Sequence, residues 1–343
     1  MALTPGAIQA QIMKGEFRPH TALTNIGQAY FQNASNYFAR AIFPICKVDL
    51  SADIYHIFSK EDLLRDSWQR KPAYGQVQAA VVSEHTDTYV CHVDQMIMGL
   101  DQIRQTDQKR RQGPALKDPR QQHTRTMAEQ ANIHQDKEFA KNFFRAGVWG
   151  NEWTGIDATS ASETSKEFIK FSNDNSDPIK FINDRKLEMH EQTGRTPNKL
   201  AIGANVYNAL INHPGILERV KYGGTTANPA NVTRNVLSQL FGVEELVVLM
   251  SIFNKAPQGK EADMQFIGDP NALLLAYATA TPNREEPSAG YIFQWDMLGD
   301  GQLMPIFHRV FNDATHREEL EGLMAFDMRK TADDLAMFCK DVV

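Results

Sequence analysis

The sequence predicts an α+β fold. Three observations carry that expectation. Two strand-like runs flank a charged excursion over residues 51–98. One long helical run without Pro or Gly follows it. From residue 177 onward, helix-period and strand-period segments succeed one another. The chain has 343 residues, 42% hydrophobic and 23% charged, which suits a soluble globular chain with a substantial core.

Residues 1–50 are weakly periodic, with aromatics scattered through FQNASNYFARAIFP. They read as an extended arm with one short helix, ordered by lying on something else. Over 51–98 a long hairpin is expected. Ile54 to Phe58 make one strand and TDTYVCHVDQMIM the other, with Tyr89, Cys91 and Val93 alternating against Val90 and His92. Between them SKEDLLRDSWQRKPAYGQ, with Pro72 and Gly75, is too long for a tight turn. It cannot bury Leu63, Leu64 and Trp68 within itself, and two isolated strands are marginal in water, so a neighbouring subunit is expected to cover it.

Residues 113–147 form the longest helical candidate, with Pro114 and Pro119 near its start and Gly147 at its end. Met127, Ala131, Phe139 and Phe143 recur at helical spacing, and about seven turns would give a rod of about 35–40 Å. GNEWTGIDATSASETSK then reads as a loop. A further helix spans 177–194, with Asp177 as cap, Pro178 at the first turn, Ile179, Ile182 and Met189 on one face, and Gly194 as terminator. KLAIG is a strand. NVYNALIN and ILERVKY are short helices broken by Pro214 and closed by Gly223 and Gly224. VTRNVLSQLF is a third helix, stopping at Gly242. VEELVVLMSIFN, MQFIGDPNALLLAYAT and GYIFQWDML read as strands, making the middle region an α/β unit with its own core. The last block, from about Gly301, is strand-like again.

Several function classes are excluded or disfavoured. No apolar run approaches the ~20 residues that span a bilayer, so no membrane role is expected. The start MALTPGAIQAQIMKG lacks a secretory apolar region, and its Met argues against a removed pro-segment. Cys46, Cys91 and Cys339 are odd in number and far apart, which suits reduced, partly buried thiols. A net charge of −6 gives no nucleic-acid footprint, although loose contact with DNA stays open.

The search for chemistry yields no phosphate-binding glycine loop, nucleophile elbow or zinc helix. His190 to Gly194 (HEQTG) begins like a zinc helix but lacks the second His and reads as a helix end. His308, Asp313, His316, Glu318 and Glu319 mix both faces of any strand and read as a salt-linked surface. His85 and His92 fall on opposite faces. KRRQGPALKDPRQQHTR, residues 109–125, is the most basic stretch and reads as a solvated loop with capacity for weak, salt-sensitive phosphate contact. Tyr222 to Thr226 (YGGTT) has the makings of an anion nest but reads as a surface loop. No catalytic, cofactor-binding or metal-binding residue is expected, and no cofactor.

The order of elements resembles the major capsid proteins of tailed bacteriophages, of the Hong Kong 97-like fold. PNKLAIGANVYNALINHPGILERVKYGG (197–224) is similar to the stretch where a strand of that family enters the axial domain, followed by a helix, a His-Pro break and a helix ending in a basic-aromatic-glycine turn. NVLSQLFGVEELVV, FIGDPNALLLAYAT and TADDLAMFCKDVV resemble later family segments in the same order. The resemblance covers most of 50–343, and under it His213 and the paired glycines are helix punctuation.

The resemblance implies a layout. Residues 1–50 would be the N-terminal arm and 51–98 the extended loop lying over an adjacent subunit. Residues 99–194 and 301–343 would form the peripheral domain with the spine helix, and 195–300 the axial domain. It implies self-assembly into pentamers and hexamers that form an icosahedral head shell around double-stranded DNA, touched by weak non-specific contact. Heterologous contacts of this kind close into rings. The place is the virion, with assembly in the host cytoplasm. Implied partners are the chain itself, a portal protein, an optional decoration protein and a separate scaffolding protein, since about fifty residues before the hairpin are too few for an internal scaffold. Some relatives cross-link through Lys and Asn; Lys60 and Lys71 read instead as ordinary surface lysines. The rivals are an encapsulin-like compartment of the same fold and, from another class, an α/β enzyme with an unrecognised site.

Overall fold

The computed structural model describes residues 32–101 (except 59, 72, 78, 80 and 82), 119–223, 232–296 (except 258, 284 and 285), 306–312 and 317–343. In chain order the elements are α1 (Ala39–Ile42), β1 (Ile45–Val48), β2 (Ala52–Phe58), α2 (Lys60–Leu63), β3 (Glu84–Val90), β4 (His92–Asp101), α3 (Pro119–Asn142), β5 (Glu152–Ile156), β6 (Glu167–Ile169), α4 (Pro178–Thr193), β7 (Lys199–Gly203), α5 (Ala204–Asn212), α6 (Pro214–Gly223), α7 (Arg234–Phe241), β8 (Glu245–Leu249), β9 (Ile252–Asn254), β10 (Met264–Phe266), β11 (Leu273–Ala276), β12 (Gly290–Trp295), β13 (Ile306–Asn312), β14 (Arg317–Lys330) and β15 (Ala336–Lys340).

Two larger sheets organise these elements. One is mixed, in the order β6-β5-β15-β11-β7-β8. Its central strands are apolar on both faces because both are covered. Leu200 and Ile202, Leu273 and Leu275, Met337 and Cys339 point into a core with the helices α4, α5 and α7. Their alternates Ala201, Leu274 and Phe338 point into another core, with Phe139, Phe143 and Phe144 at the end of α3. The second sheet is built on the 14-residue β14, with β4 along one edge and β12 and β13 in succession along the other. The long helix α3 lies across β14 and β4.

The local expectations for α4 hold. Asp177 accepts the Lys180 N–H at 3.0 Å, Pro178 opens the helix, and Gly194 closes it at φ 69°. The helices α5 and α6 occupy the two short helical runs, and α7 starts at Arg234, capped by Thr233 rather than opening at Val232, and ends at Gly242 with φ 59°; the reading of Gly224 as a terminator lies outside the described residues. The long helix stops at Asn142, short of Gly147. Beyond it Phe143 and Phe144 are both buried, packing on Phe43 and Phe338, and the Trp149 indole N–H caps the Phe143 carbonyl at 2.8 Å.

Other readings need correction. Residues 150–166, read as a loop, open on strand β5, which pairs with β15 and β6 and so is set by distant partners. The second hairpin strand is two strands: β3 pairs with β2, then the chain passes Cys91 and β4 pairs with β14 over ten residues. Alternation accordingly breaks at Val93, which is exposed. The surface on which residues 38–48 lie is the rest of this chain. Phe38, Ala39, Ile42 and Phe43 are buried in this chain's core, and β1 runs parallel to β12. Finally, the middle region has no core of its own. Its helices share a cluster with Trp153 and Phe168 from before it and Met337 and Val342 from after it. Strand β12 of that region lies in the β14 sheet, and β15 of the last block lies beside β11.

Candidate assembly surfaces

The hairpin β2–β3 leaves the body from a firm root. Tyr55 and Tyr89 are buried with Cys46, Val48, Cys91, Tyr291, Phe293 and Ala325. Tyr55 also reaches a polar partner, its hydroxyl donating to Asp87 at 2.8 Å. Burial and that carboxylate both push its phenol well up from the usual range. At the end of β3 the Val90 N–H donates to Asp327 at 2.9 Å, and Arg329 Nε donates to the same oxygen at 2.7 Å. The root is thus fixed by aromatic packing inside and by a carboxylate outside.

Beyond the root the picture reverses. Trp68 is 94% exposed and Tyr74 fully so, with Leu64, Val77 and Val81 also exposed. Scattered apolar residues on a surface are ordinary, but several large ones on one projecting segment mark an interaction surface. Lys60 of α2 forms an ion pair with Asp334 of the body. Sequence reasoning found Leu64 and Trp68 by their inability to be buried locally; Tyr74, Val77 and Val81 sit in a stretch with no periodicity and were missed. The Leu63 side chain lies outside the described residues.

Smaller apolar faces lie elsewhere. On β9–β10, Phe253 packs toward α3 with Lys137 over its ring, while Ile252, Met264 and Phe266 are exposed. Val93 and Ile97 are exposed on β4.

The titratable candidates separate rather than converge. His213 is 3% exposed, at the break between α5 and α6. The Gly215 N–H donates to Nδ1 at 3.2 Å, so the proton sits on Nε2, which donates to Ser176 Oγ at 3.1 Å; that hydroxyl donates to the Asn173 carbonyl at 2.8 Å. Every polar atom of the pair is engaged in holding two loops, as helix punctuation requires. His190 Nδ1 meets Thr196 Oγ1 at 3.0 Å at the end of α4. Among the described residues no group of three His, Cys, Asp or Glu could hold a metal ion. Glu319 pairs with Arg317 at 2.9 Å. His85 and His92 are in different sheets. The side chain of His308, together with Asp313, His316, residues 109–118 and Gly224 to Thr226, lies outside the described residues. All three cysteines are buried and none is in a disulfide, and burial pushes Cys91 up to about 11 and raises Cys339 as well.

A rooted, projecting loop with large exposed apolar side chains is a surface suited to contact with another protein chain. Comparison with known proteins agrees. No family model matches. A curated major capsid protein of Burkholderia phage BcepMu is 33% identical over 103 residues, a match spanning 30% of this chain and 31% of that protein. A crystal structure of a phage-related protein from Bordetella bronchiseptica aligns over 94% of this chain and 97% of its own, with TM-score 0.65 and 18% identity. The capsid structure of cyanophage P-SCSP1u aligns over 92% and 91%, with TM-score 0.55 and 10% identity. Across most of the chain the α+β fold is therefore that of the cyanophage capsid structure, while the likeness in sequence to a phage major capsid protein spans 30% of the chain.

Proposed function

We propose that this chain is the major capsid protein of a tailed bacteriophage, a structural protein and not an enzyme. Its copies form pentamers and hexamers that close into an icosahedral head around double-stranded DNA. The observation that carries the reading is the contrast along one hairpin: a root locked by Tyr55, Tyr89 and Asp327, and a far segment that leaves Trp68 and Tyr74 in water. A second copy is the partner that removes that surface from solvent. The relative from phage BcepMu, itself a major capsid protein, supports the same assignment.

In this reading the β14 sheet with α3 is the peripheral part, and the β5–β8, β11 and β15 sheet with α4 to α7 is the axial part. That moves Gly290–Trp295 to the former and Ala336–Lys340 to the latter, relative to a cut at residue 300. A separate scaffolding protein, a portal protein and an optional decoration protein complete the head, and the chain resides in the virion after assembly in the host cytoplasm. No described helix is long and apolar enough to cross a membrane. With a net charge of −6, contact with packaged DNA is weak and salt-sensitive. The test is the nuclease-resistant content of particles that contain this chain. Double-stranded DNA of uniform length supports the reading. A single protein cargo with no DNA would assign the same fold to a nanocompartment, and an absence of particles would defeat both.

A further inference from the structure

A polar cluster is buried where the N-terminal segment, α3 and the β8–β9 corner meet. Asp136 of α3 is 1% exposed and Ser251 is fully buried. Asp136 Oδ1 accepts the Ala39 N–H at 2.9 Å and the Phe38 N–H at 3.1 Å; Oδ2 accepts the Ser251 hydroxyl at 2.7 Å. Two turns earlier on α3, Glu129 accepts the Gln32 N–H at 2.8 Å. Gln135 Oε1 accepts Arg40 Nε at 2.6 Å. The Gln32 amide in turn donates to the Ile252 carbonyl at 2.7 Å and accepts the Ile252 N–H at 3.0 Å. Residues 32–40 are thus held to α3 and β9 largely through acceptors, and the deepest of these is a carboxylate.

That carboxylate has no ion-pair partner among the described residues. Arg40 favours its charge, but Arg40 Nε is committed to Gln135. The other groups facing it are Tyr37 and Ser251, with Glu129 further along its own helix and Lys137 turned to the Phe253 ring. Burial is the largest influence and pushes the Asp136 carboxyl up to about 6, against the pull of the Phe38, Ala39 and Ser251 donors and of Arg40. A protonated Asp136 keeps both main-chain N–H bonds on Oδ1 and donates its proton to Ser251 Oγ, which turns from donor to acceptor.

We propose that Asp136 is a proton-operated latch for the N-terminal segment: residues 32–40 dock more tightly when its carboxyl is protonated and loosen when it ionises. The sign follows from linkage. In the undocked state the carboxyl meets water and titrates near 3.8, whereas the docked state holds the proton to about 6. Docking is therefore strongest below the lower value, weakens between the two, and levels off above the higher one. The latch stands on this chain's own contacts, whatever the chain assembles into.

The test is amide hydrogen exchange of Phe38 and Ala39 in the full chain from pH 4.5 to 7.5, corrected for intrinsic exchange chemistry. The opening equilibrium is expected to rise on the order of 30-fold across that range, with a bend near pH 6, while Leu274 in the central strand stays flat. In Asp136→Asn the rise is expected to vanish. A flat profile at Phe38 and Ala39, or the same rise in Asp136→Asn, overturns the latch. Should Asp136→Asn fail to fold, the natural chain decides alone: no bend near pH 6 refutes it.

Discussion

Tyr89 lies flat on Phe293, with 4.6 Å between ring centroids and 14° between the ring planes. The two residues come from β3 and β12, which do not pair with each other. Tyr55 meets the same Phe293 ring at 5.4 Å, so one phenylalanine of the β14 sheet seats both strands of the hairpin. The hairpin is a projection set at a fixed angle by the body.

Replacing that seat tests the rooting. Phe293→Ala leaves a cavity among Tyr55, Tyr89 and Tyr291 and is expected to cost about 3–5 kcal/mol in chemical denaturation. A loss under about 1 kcal/mol would mean the hairpin is not anchored there.

Stability and assembly should separate at the far end. Trp68→Ser with Tyr74→Ser removes two side chains that touch almost nothing in the protomer. The melting temperature should hold, equivalent to a change within about 0.5 kcal/mol. Sedimentation under assembly conditions should shift to small species. Unchanged shells would remove this segment from the interface.

The break between α5 and α6 yields a purely structural expectation. His213→Ala strips Ser176 Oγ and the Gly215 N–H of their partner inside the core and should destabilise the chain by about 1–3 kcal/mol. A neutral result would deny His213 its punctuating role.

Gly155 in β5 faces the chain end with no room to spare. A Cβ there would sit 2.0 Å from the Asp341 carbonyl oxygen, a main-chain atom that cannot swing away. Gly155→Ala should cost about 3 kcal/mol, read as a lowered denaturation midpoint. A midpoint equal to the natural chain's would show that the end of β15 yields.

Thiol reactivity reports the same compactness. Cys91 is pushed up to about 11 and all three cysteines are buried, so a thiol reagent at pH 7.5 should label the folded chain slowly and three sites per chain after unfolding. Rapid labelling of the folded chain would mean that the sheets open.

The parts legible in the sequence are those whose cause is local. Asp177, Pro178 and Gly194 bracket α4 by capping and backbone preference alone. The exposure of Trp68 was legible because nothing nearby could cover it. What could not be read depends on distant partners. Nothing around Cys91 says that Tyr89 will pair with Asp53 while His92 pairs with Phe326. The run LLLA reads as a buried strand whichever sheet it joins, so the placement of β15 beside β11, and of β12 beside β14, stayed hidden. Asp136 looks like one more charge on an amphipathic helix until Phe38, Ala39 and Ser251 close over it.

The central claim meets its most direct test in negative-stain electron microscopy of the purified chain, alone and co-expressed with its neighbouring genes, beside a sedimentation profile. The expected result is shells built of five-fold and six-fold units, uniform in size when the neighbouring genes are present. Monomers or dimers under both conditions would contradict the account.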